Sequence, residues 1–443
     1  MGKKKNKQKF GDLLLHTESA IEWDDLSPSQ KEAYALFRDW YQTKKKKPIL
    51  RIGGLAGTGK SFLIRYILEQ FGFDEEDCYV CAYTGQAVNV LRQDGILAKT
   101  IHSTFMHSKE EPLLDENGKT IFRSGIPLMK MKYVPVKSIP SSIKLVIVDE
   151  ASFLPKKLED LIKSYNVPIL ETGDPIQLPP VTGDQCFNLD NLDYFMTTIM
   201  RQNKDSEIIK FASAIREYEP IVLSDYGREV KFLWAQEDNE ATFFRFMPFF
   251  RGSDIIISST NKQRDEFTAL YRKHIIKTDS PYPIKGERMI CRKNDWGLKI
   301  GQYPLTNGTI GIAKHTVSKS DIDTTTNTFF MDFQPDFIND DYYDGLLCDS
   351  KFLRSKFGNK DMTYYERLNP GKKFEFAHVT TCHLAQGGGY PTAMFLDAHN
   401  RDPEYHMRIR YTAATRARHV LYWVIPTSKY PGWTDLLFGG FKP

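Results

Sequence analysis

The stretch Gly53-Gly54-Leu55-Ala56-Gly57-Thr58-Gly59-Lys60-Ser61 decides the fold of this 443-residue chain. It has the spacing Gly-x-x-x-x-Gly-Lys-Ser/Thr, follows the apolar pair Ile49-Leu50 and runs into a segment with helical periodicity. A strand, a glycine loop and a helix start bind phosphate, because backbone N–H groups surround the anion and the helix N-terminus adds positive charge. The stretch predicts an α/β nucleoside triphosphatase, with a chance glycine turn as the alternative.

Within this loop we expect the chain to bind ATP and Mg²⁺. Lys60 is expected to reach the β- and γ-phosphates, and the Ser61 hydroxyl is expected to ligate Mg²⁺. The predicted nucleotide-binding residues of the loop are Gly54, Gly57, Thr58, Gly59, Lys60 and Ser61.

Two further segments predict catalytic groups at the same sheet edge. The apolar run 145–148 ends in Asp149 and Glu150, and a buried parallel strand delivers such acids to its carboxyl end, where the glycine loop also opens. Asp149 is expected to hold Mg²⁺ through water, and Glu150 to deprotonate the attacking water. The Gly- and Pro-rich loop 173–180 places the Gln177 amide where it can sense the γ-phosphate. A solvated strand end and a simple turn are the alternatives.

Composition places the chain among ordinary globular proteins of two to four domains. The formal net charge is only +4, yet lysines concentrate near the N-terminus (Lys3 to Lys9) and at 44–47, either as solvated faces or as phosphate contacts. No apolar run suggests a membrane span or a secretory signal, and six cysteines fit a reducing, cytoplasmic setting. Cys78 and Cys81 are read as buried strand thiols, with a zinc site as the alternative.

Strand-like and helical runs alternate on both sides of residue 200, which indicates parallel sheets flanked by helices. Asn117-Gly118 is a strong hairpin signal and predicts a β-ribbon inserted over about 104–140. The stretch from about 284 to 372 is β-like and irregular. We therefore expect a basic flexible arm (1–20), a first α/β domain with the ribbon (21–200), and a second α/β domain with a β insertion (201–443).

Gly173-Asp174-x-x-Gln177-Leu178-Pro179-Pro180, after a glycine loop and an Asp-Glu-Ala-Ser strand end, resembles motif III of superfamily 1 helicases. The resemblance is to their 5′-to-3′ branch, which includes the Dda, RecD and Pif-type enzymes, and is strongest to the Dda type. It covers roughly residues 26 to 424. It implies two RecA-like motor domains, with a β-hairpin inserted in the first and a small SH3-like β-barrel in the second.

The resemblance also implies roles for individual residues. Leu26 to Gln30 is similar to the adenine-reading Q motif, with Gln30 on the base. Arg201 follows motif III as a γ-phosphate contact, and Arg416, in Tyr411 to Arg418, corresponds to the arginine finger of motif VI. Thr381 to Gly387 resembles motif V, and Gly387 is expected near the nucleotide. The residues expected to contact single-stranded DNA are Thr84, His102, Ser103, Thr381 and His383. For a lone histidine, a structural hydrogen bond is the alternative.

Motif V departs from the family pattern at two places. Leu384 stands where a lysine is usual, and Gly388-Gly389-Tyr390 replaces the usual serine and its neighbour. One DNA contact or coupling element is therefore expected to be weakened or replaced.

The ribbon at 104–140 resembles in position the pin that splits the duplex in this branch. Phe122, just past the Asn-Gly turn, is the candidate for stacking on the fork base pair. A hydrophobic anchor for the ribbon is the alternative.

These observations predict an ATP-dependent DNA helicase that moves 5′ to 3′ along single-stranded DNA. We expect it to act as a monomer on forks, in a bacterial or phage-infected cytoplasm, alongside replication, repair or recombination proteins. A DNA-stimulated ATPase that translocates and remodels nucleoprotein with little unwinding is the enzymatic alternative. A non-catalytic nucleic-acid clamp is disfavoured by the catalytic set Lys60, Asp149, Glu150, Arg201 and Arg416.

Overall fold

The computed structural model describes residues 21–43, 47–112, 114, 117–120, 122–123, 126–127, 129–181, 183–200, 206–301, 303–338, 340–354, 371–398 and 400–426. The predicted arm, Lys44 to Lys46 and Arg201 lie outside these residues. Within them, no helix is both long enough and apolar enough to span a bilayer.

The described residues form helices that connect and flank three main sheets. They are α1 (Pro28–Gln42), α2 (Lys60–Phe71), α3 (Gly85–Gln93), α4 (Ile101–Phe105), α5 (Lys156–Lys163), α6 (Glu207–Glu217), α7 (Asn239–Gly252), α8 (Asn261–Tyr271), α9 (Ser350–Arg354), α10 (Cys382–Ala385) and α11 (Pro403–Ala414). Short 3₁₀ turns cover Trp23–Asp25, Ala151–Phe153, Leu189–Asn191, Leu223–Asp225 and Lys319–Asp321, and a π turn covers Arg272–Ile276.

The first sheet is parallel throughout. Its strands in spatial order are β10 (Tyr194–Met196), β1 (Ile49–Gly54), β9 (Ile169–Gly173), β8 (Leu145–Asp149), β2 (Cys78–Ala82) and β3 (Ala98–Thr100). All of β8 and β9 is buried, as expected for parallel strands covered on both faces. Because β1, β9 and β8 are neighbours, the glycine loop, Asp149 and the loop after Gly173 emerge at one edge.

The second sheet is also parallel. Its strands in spatial order are β11 (Val230–Trp234), β22 (Ala417–Ile425), β21 (Tyr390–Leu396), β12 (Ile255–Ser258) and β20 (Thr380–Thr381). The central strands β21 and β12 carry the apolar runs that pack against the flanking helices. The chain thus contains the two α/β units that the sequence predicts.

The third sheet is antiparallel and interrupts the second α/β unit. Its strands in spatial order are β18 (Tyr343–Asp349), β17 (Thr328–Pro335), β16 (Ile310–Ala313), β13 (Arg288–Cys291) and β19 (Phe374–Phe376), and a two-stranded ribbon of β14 (Asp295–Ile300) and β15 (Tyr303–Leu305) accompanies it. It has its own apolar core around Phe333 and Phe374. The strand β19 lies past residue 372, where the insertion was predicted to end, and closure into a barrel stays a prediction.

A long antiparallel ribbon leaves the first α/β unit. It pairs β4 (Met106–Pro112) with β7 (Met129–Pro135), and a smaller pair joins β5 (Phe122–Arg123) to β6 (Ile126–Pro127). Gly118 has a φ of +77° beside an isolated bridge between Leu114 and Thr120, which is the tight reversal that the Asn-Gly pair predicts.

Apolar packing also joins the two α/β units. Leu55 and Leu178 come from loops of the first sheet, yet they belong to the same buried cluster as Phe211, Tyr411 and Trp423 of the second unit. Cys78 and Cys81 are buried unpaired thiols on β2, and burial raises the pKa of Cys81 to about 12, in line with the structural interpretation.

Candidate active site

The glycine loop between β1 and α2 is held by its own side chains. Gly57 and Gly59 have φ values of +85° and +76°, which disfavour any residue with a side chain. The hydroxyl of buried Thr58 donates to the Leu55 carbonyl at 2.8 Å, and a Cβ on Gly54 would lie 2.6 Å from that hydroxyl. Gly54 and Thr58 therefore determine the shape of the loop, while Gly57 and Gly59 line the cavity described below.

Lys60 opens α2 and folds back over the loop. Its Nζ donates to the carbonyl oxygens of Gly54 at 2.9 Å and Leu55 at 3.2 Å. These neutral acceptors are weaker partners than phosphate oxygens, so the ammonium is free to exchange them for an anion.

Gln30 ties α1 to the glycine loop. The Ser27–Gln30 capping box starts α1 with Pro28 at its first position. The Gln30 side chain is fully buried, and its Nε2 donates to the Gly59 carbonyl at 3.0 Å. Its contact with an adenine base stays a prediction.

The two acids after β8 differ in their partners. The Thr172 hydroxyl donates to Asp149 Oδ1 at 2.6 Å, whereas Glu150 Oε2 is buried and has no partner within the described part of the chain. Burial raises the pKa of Asp149. Burial and the neighbouring Asp149 raise the pKa of Glu150 to about 6, against the opposing pull of Lys60 and Arg416. At neutral pH, Glu150 is an ionised base poised near its pKa.

The loop after β9 carries Gln177 at the same edge of the first sheet. Gln177 is buried; its Nε2 lies 3.5 Å from Asp174 Oδ2, and its Oε1 has no partner among the described residues. An unpartnered buried amide oxygen is available for a polar group that enters the site.

Arg416 reaches the site from the second α/β unit. It is buried, and its Nε, Nη1 and Nη2 donate to Thr412 O at 3.1 Å, Gly388 O at 2.8 Å and Thr415 Oγ1 at 3.0 Å. Arg201, the other arginine predicted to contact the γ-phosphate, lies outside the described residues.

These groups surround one cavity of about 790 Å³, which we call the main cavity. Its lining comes from loop residues of the first sheet, from α2, from residues 90 and 92–97, from Tyr303 of β15, and from residues 387–389, 415, 416 and 418 of the second unit. The predicted site residues that line it are Gly57, Gly59, Lys60, Ser61, Asp149, Glu150, Gln177, Gly387 and Arg416.

Helix α11 bonds directly to the 173–178 loop across the two units, which the sequence did not predict. Arg408 Nη1 donates to Pro175 O at 2.9 Å and Gln177 O at 3.0 Å, and Leu178 N donates to Thr412 Oγ1 at 3.2 Å. The Tyr411 hydroxyl donates to Asp174 Oδ2 at 2.7 Å and accepts weakly from Ala56 N at 3.4 Å. The i, i+3, i+4 spacing of Arg408, Tyr411 and Thr412 marks one helix face and is the signal that points to them.

A second cavity, of about 120 Å³, lies where the two units and the antiparallel sheet meet. It brings together Thr84, His102 and His383, three of the residues predicted to contact single-stranded DNA, with the Asn307-Gly308 turn. Thr84 caps α3, and a Cβ on the next residue, Gly85, would lie 2.2 Å from Thr306 Oγ1. The glycine therefore permits the close approach of α3 to this turn.

The second cavity is chemically neutral. Burial lowers the pKa of His102 and of His383, so both rings are uncharged at pH 7. His383 Nε2 lies 3.4 Å from the Tyr405 hydroxyl, and the His102 ring lies 5.7 Å from that of Tyr83. The lining among the described residues contains no Asp, Glu, Lys or Arg.

The other three predicted DNA contacts have different surroundings. The Ser103 hydroxyl donates to Thr100 O at 2.9 Å, and Thr381 is the N-cap residue of α10. Phe122 is 61% exposed on β5, so it does not anchor the ribbon in a core.

The departures in motif V have structural counterparts. Leu384 packs against the buried cluster of Ile290, Ile310 and Ala377, which joins α10 to the antiparallel sheet. The Tyr390 residue is half-buried. Its hydroxyl is enclosed by the protein, and this desolvation raises the pKa of Tyr390 to about 12. At the position where the family pattern has a lysine, Leu384 therefore contributes apolar packing instead of a positive charge.

Comparisons with known proteins agree with this geometry. A family model described as an AAA domain matches residues 25–232, and one described as a UvrD-like helicase C-terminal domain matches residues 376–424. The ATP-dependent DNA helicase dda of Enterobacteria phage T4 is 27% identical over 290 residues, 61% of this chain and 62% of that protein. The ATP-dependent DNA helicase Pif1 of Campylobacter jejuni is 27% identical over 155 residues, 32% of each chain. The matches thus span less than two thirds of either relative.

Solved structures share the fold. A structure of two coordinating Pif1 helicases at forked double-stranded DNA superposes with a TM-score of 0.53 at 17% identity, covering 90% of this chain and 92% of that one. Bacteroides Pif1 in complex with ADP-AlF3 and single-stranded DNA superposes with a TM-score of 0.51 at 15% identity, covering 90% and 94%. The two parallel units therefore share the RecA-like fold of those structures.

Proposed function

We infer that this chain, a member of the Dda- and Pif1-like group of superfamily 1 helicases, couples ATP hydrolysis to movement along single-stranded DNA and separation of duplex strands. The observation that carries this proposal is the main cavity. Its phosphate loop and acids come from one motor domain and Arg416 comes from the other. Catalysis at such a boundary links the state of the nucleotide to the distance between the domains.

In the proposed reaction, Lys60 and the loop N–H groups bind the phosphate chain, and Glu150 accepts the proton of the attacking water. Arg416 exchanges one of its three neutral acceptors for an oxygen of the terminal phosphate as the cleft closes. Gln177 orients the attacking water through its unpartnered amide oxygen, which accepts a hydrogen bond from that water, or senses the terminal phosphate by donating from its amide nitrogen. We extend the γ-phosphate role to Arg201 from the family pattern alone.

Ser61 and Asp149 supply the oxygen ligands that suit Mg²⁺, and both line the main cavity. When bound there, the ion would neutralise charge on the phosphate oxygens.

The bonds between α11 and the 173–178 loop provide the coupling in this proposal. Loss of the terminal phosphate changes what Gln177 and Arg416 contact, and Arg408 and Tyr411 connect that loop to the second motor domain. The second cavity then changes shape as the domains move, because its lining includes Thr84 of the first domain and His383 of the second.

Single-stranded DNA and forks are the proposed substrates, and binding is expected to be sequence-tolerant. The exposed Phe122 on the ribbon supports its proposed place at the fork junction. Movement from 5′ to 3′, activity as a monomer, a cytoplasmic setting and work beside replication or recombination proteins are further parts of the proposal, drawn from the family resemblance.

The test is unwinding of duplexes that carry a single-stranded tail at only one end. We expect ATP-dependent strand separation with the 5′-tailed duplex, little with the 3′-tailed one, and none with Lys60→Ala. ATP turnover without strand separation would favour the translocase alternative. Preference for the 3′ tail would overturn the direction.

A further inference from the structure

Two arginines of the second motor domain face the main cavity, and they differ in how they are bound. Arg416 uses all three of its nitrogen groups on neighbours in its own domain. Arg418, two residues later at the start of β22, is exposed and lines the same cavity. Among the described residues it has no hydrogen-bond or ion-pair partner, so its charge is available to a ligand.

The Arg418 guanidinium rests over Gly389. A Cβ on that glycine would lie 2.9 Å from Arg418 Nε and 3.3 Å from Nη2, so a side chain there would push the guanidinium aside. Gly389 belongs to the Gly388-Gly389-Tyr390 segment that departs from the family pattern. The departure therefore leaves space for a cation at the cavity wall.

We propose that Arg418 is a second cationic ligand of the terminal phosphate of the bound nucleotide, and that Gly389 is the residue that lets it lie there. The proposal rests on the proposed function. The loop of the first domain holds the phosphate chain, so the terminal phosphate is the part that the second domain's lining residues can reach, and Arg418 is one of them.

The charges of the cavity support this assignment. A triphosphate with its metal brings net negative charge to a cavity whose lining already includes the acids Asp149 and Glu150. Three of the five N–H donors of Arg416 are already bound within its own domain, which fixes its guanidinium, whereas the Arg418 guanidinium exchanges only water. A guanidinium that contacts phosphate without losing a protein partner contributes its charge-assisted bond with little offset.

The experiment measures the affinity of a fluorescent non-hydrolysable ATP analogue and of fluorescent ADP for the full chain. The variants are Arg418→Gln, Gly389→Ala and the double variant. Matched controls are Arg251→Gln and Gly252→Ala at the end of α7, where the arginine is exposed and an added Cβ has no atom within 4 Å.

We expect Arg418→Gln to weaken the binding of the ATP analogue about tenfold and the binding of ADP less than twofold, because only the analogue carries the terminal phosphate. Gly389→Ala should weaken the binding of the analogue about threefold to tenfold when Arg418 is present. It should have no effect in the Arg418→Gln background, since both substitutions act through the Arg418 guanidinium. Both controls should bind like the wild type. Unchanged melting temperatures establish that the variants fold.

Equal weakening of the analogue and ADP, or an effect of Gly389→Ala that persists without Arg418, overturns the assignment. So does wild-type affinity in Arg418→Gln. Each of these results leaves the proposed function intact, because the wild type still binds nucleotide. Failure of the wild-type chain to bind either nucleotide overturns the proposed function as well.

Discussion

The main cavity and the second cavity are both lined by residues of the two α/β units, yet they are built from opposite kinds of groups. The main cavity is lined by Lys60, by the acids Asp94, Asp149 and Glu150, and by the four arginines Arg65, Arg92, Arg416 and Arg418. Glu150 has an unpartnered carboxylate oxygen, and Lys60 and Arg416 bind only neutral acceptors. The second cavity is lined by hydroxyls, amides, two neutral imidazoles and a glycine turn.

Under the proposed function, this difference follows from what each cavity binds, which is phosphate in the main cavity and single-stranded DNA in the second. Chemistry on a phosphate requires charges that are poised and costly to remove, because each one stabilises charge that develops during the reaction. A moving strand requires contacts that form and break at every step, so neutral hydrogen bonds and stacking suit it better than strong ion pairs. Substitutions in the main cavity should therefore have much larger effects than substitutions in the second.

Lys60→Ala should produce the largest effect. Without the ammonium that binds the β- and γ-phosphates, we expect DNA-stimulated ATP hydrolysis to fall about a thousandfold or more, as for other losses of a transition-state charge. Phosphate release measured with and without single-stranded DNA tests this, with Lys144→Ala, an exposed lysine paired with Asp77, as the control. DNA binding without nucleotide should be retained. Hydrolysis that survives in Lys60→Ala would show that the main cavity is not the active site.

Glu150→Gln should lower kcat about a hundredfold to a thousandfold and leave the affinity for ATP nearly unchanged. The amide keeps the shape of the side chain but cannot accept the proton of the attacking water. Single-turnover hydrolysis and analogue binding separate these two quantities. An equal loss of affinity and rate would instead assign Glu150 to ground-state binding.

The pH dependence of hydrolysis should follow the raised pKa of Glu150, which is about 6. As pH falls through 6 the base becomes protonated, so the rate should fall, by about tenfold at pH 5, and Glu150→Gln should lack this decline. The pKa in the folded chain lies above the ordinary value of 4.5, so protonation of Glu150 favours the folded state as pH falls from above 6 towards 4.5. Melting curves measured at the same pH values provide the check. A fall in rate at pH 5 without a fall in melting temperature would therefore be due to loss of the catalytic base and not to unfolding.

The parts of the main cavity that were predictable from sequence are those that depend on local context. A strand, a loop and a helix start specify the glycine loop, and a buried strand that ends in Asp149-Glu150 specifies the acids, because both are encoded in a few consecutive residues. The order of strands in the first sheet then brings them together without any further signal.

The contacts between the domains were not predictable in this way. The partners of Arg408 and Tyr411 are more than 230 residues away, and nothing in the local pattern of α11 specifies the 173–178 loop as their target. Gln30 illustrates the same limit: its motif implies an adenine contact, while its observed bonds are a helix cap and the Gly59 carbonyl. Long-range packing decides which of several hydrogen bonds a side chain makes.

Tyr411→Phe tests whether those contacts link the two cavities. The change removes one buried hydroxyl, which donates to Asp174, and leaves the ring in its apolar cluster. We expect the stimulation of hydrolysis by DNA to fall about fivefold while hydrolysis without DNA changes little, because a net hydrogen bond of about 1 kcal/mol is lost between the domains. Tyr165→Phe, which removes a hydroxyl bond to Val136 inside the first domain, is the control. Equal losses with and without DNA would confine Tyr411 to the active site.

The smallest effects should come from the histidines of the second cavity. His102→Ala and His383→Ala each remove a ring that burial keeps neutral, so we expect the affinity for single-stranded DNA to fall about threefold, which is within the range for the loss of one hydrogen bond. Because no charge is lost, the slope of log affinity against log salt should stay at its wild-type value, whereas removal of a cation that contacts phosphate lowers that slope by about 0.7 for a single strand. Titrations at several salt concentrations measure both quantities, with His315→Ala, whose ring pairs with Asp332 on the antiparallel sheet, as the control. A reduced slope would mean that the rings become charged on the strand, and the second cavity would then resemble the main cavity in using charge to hold its ligand.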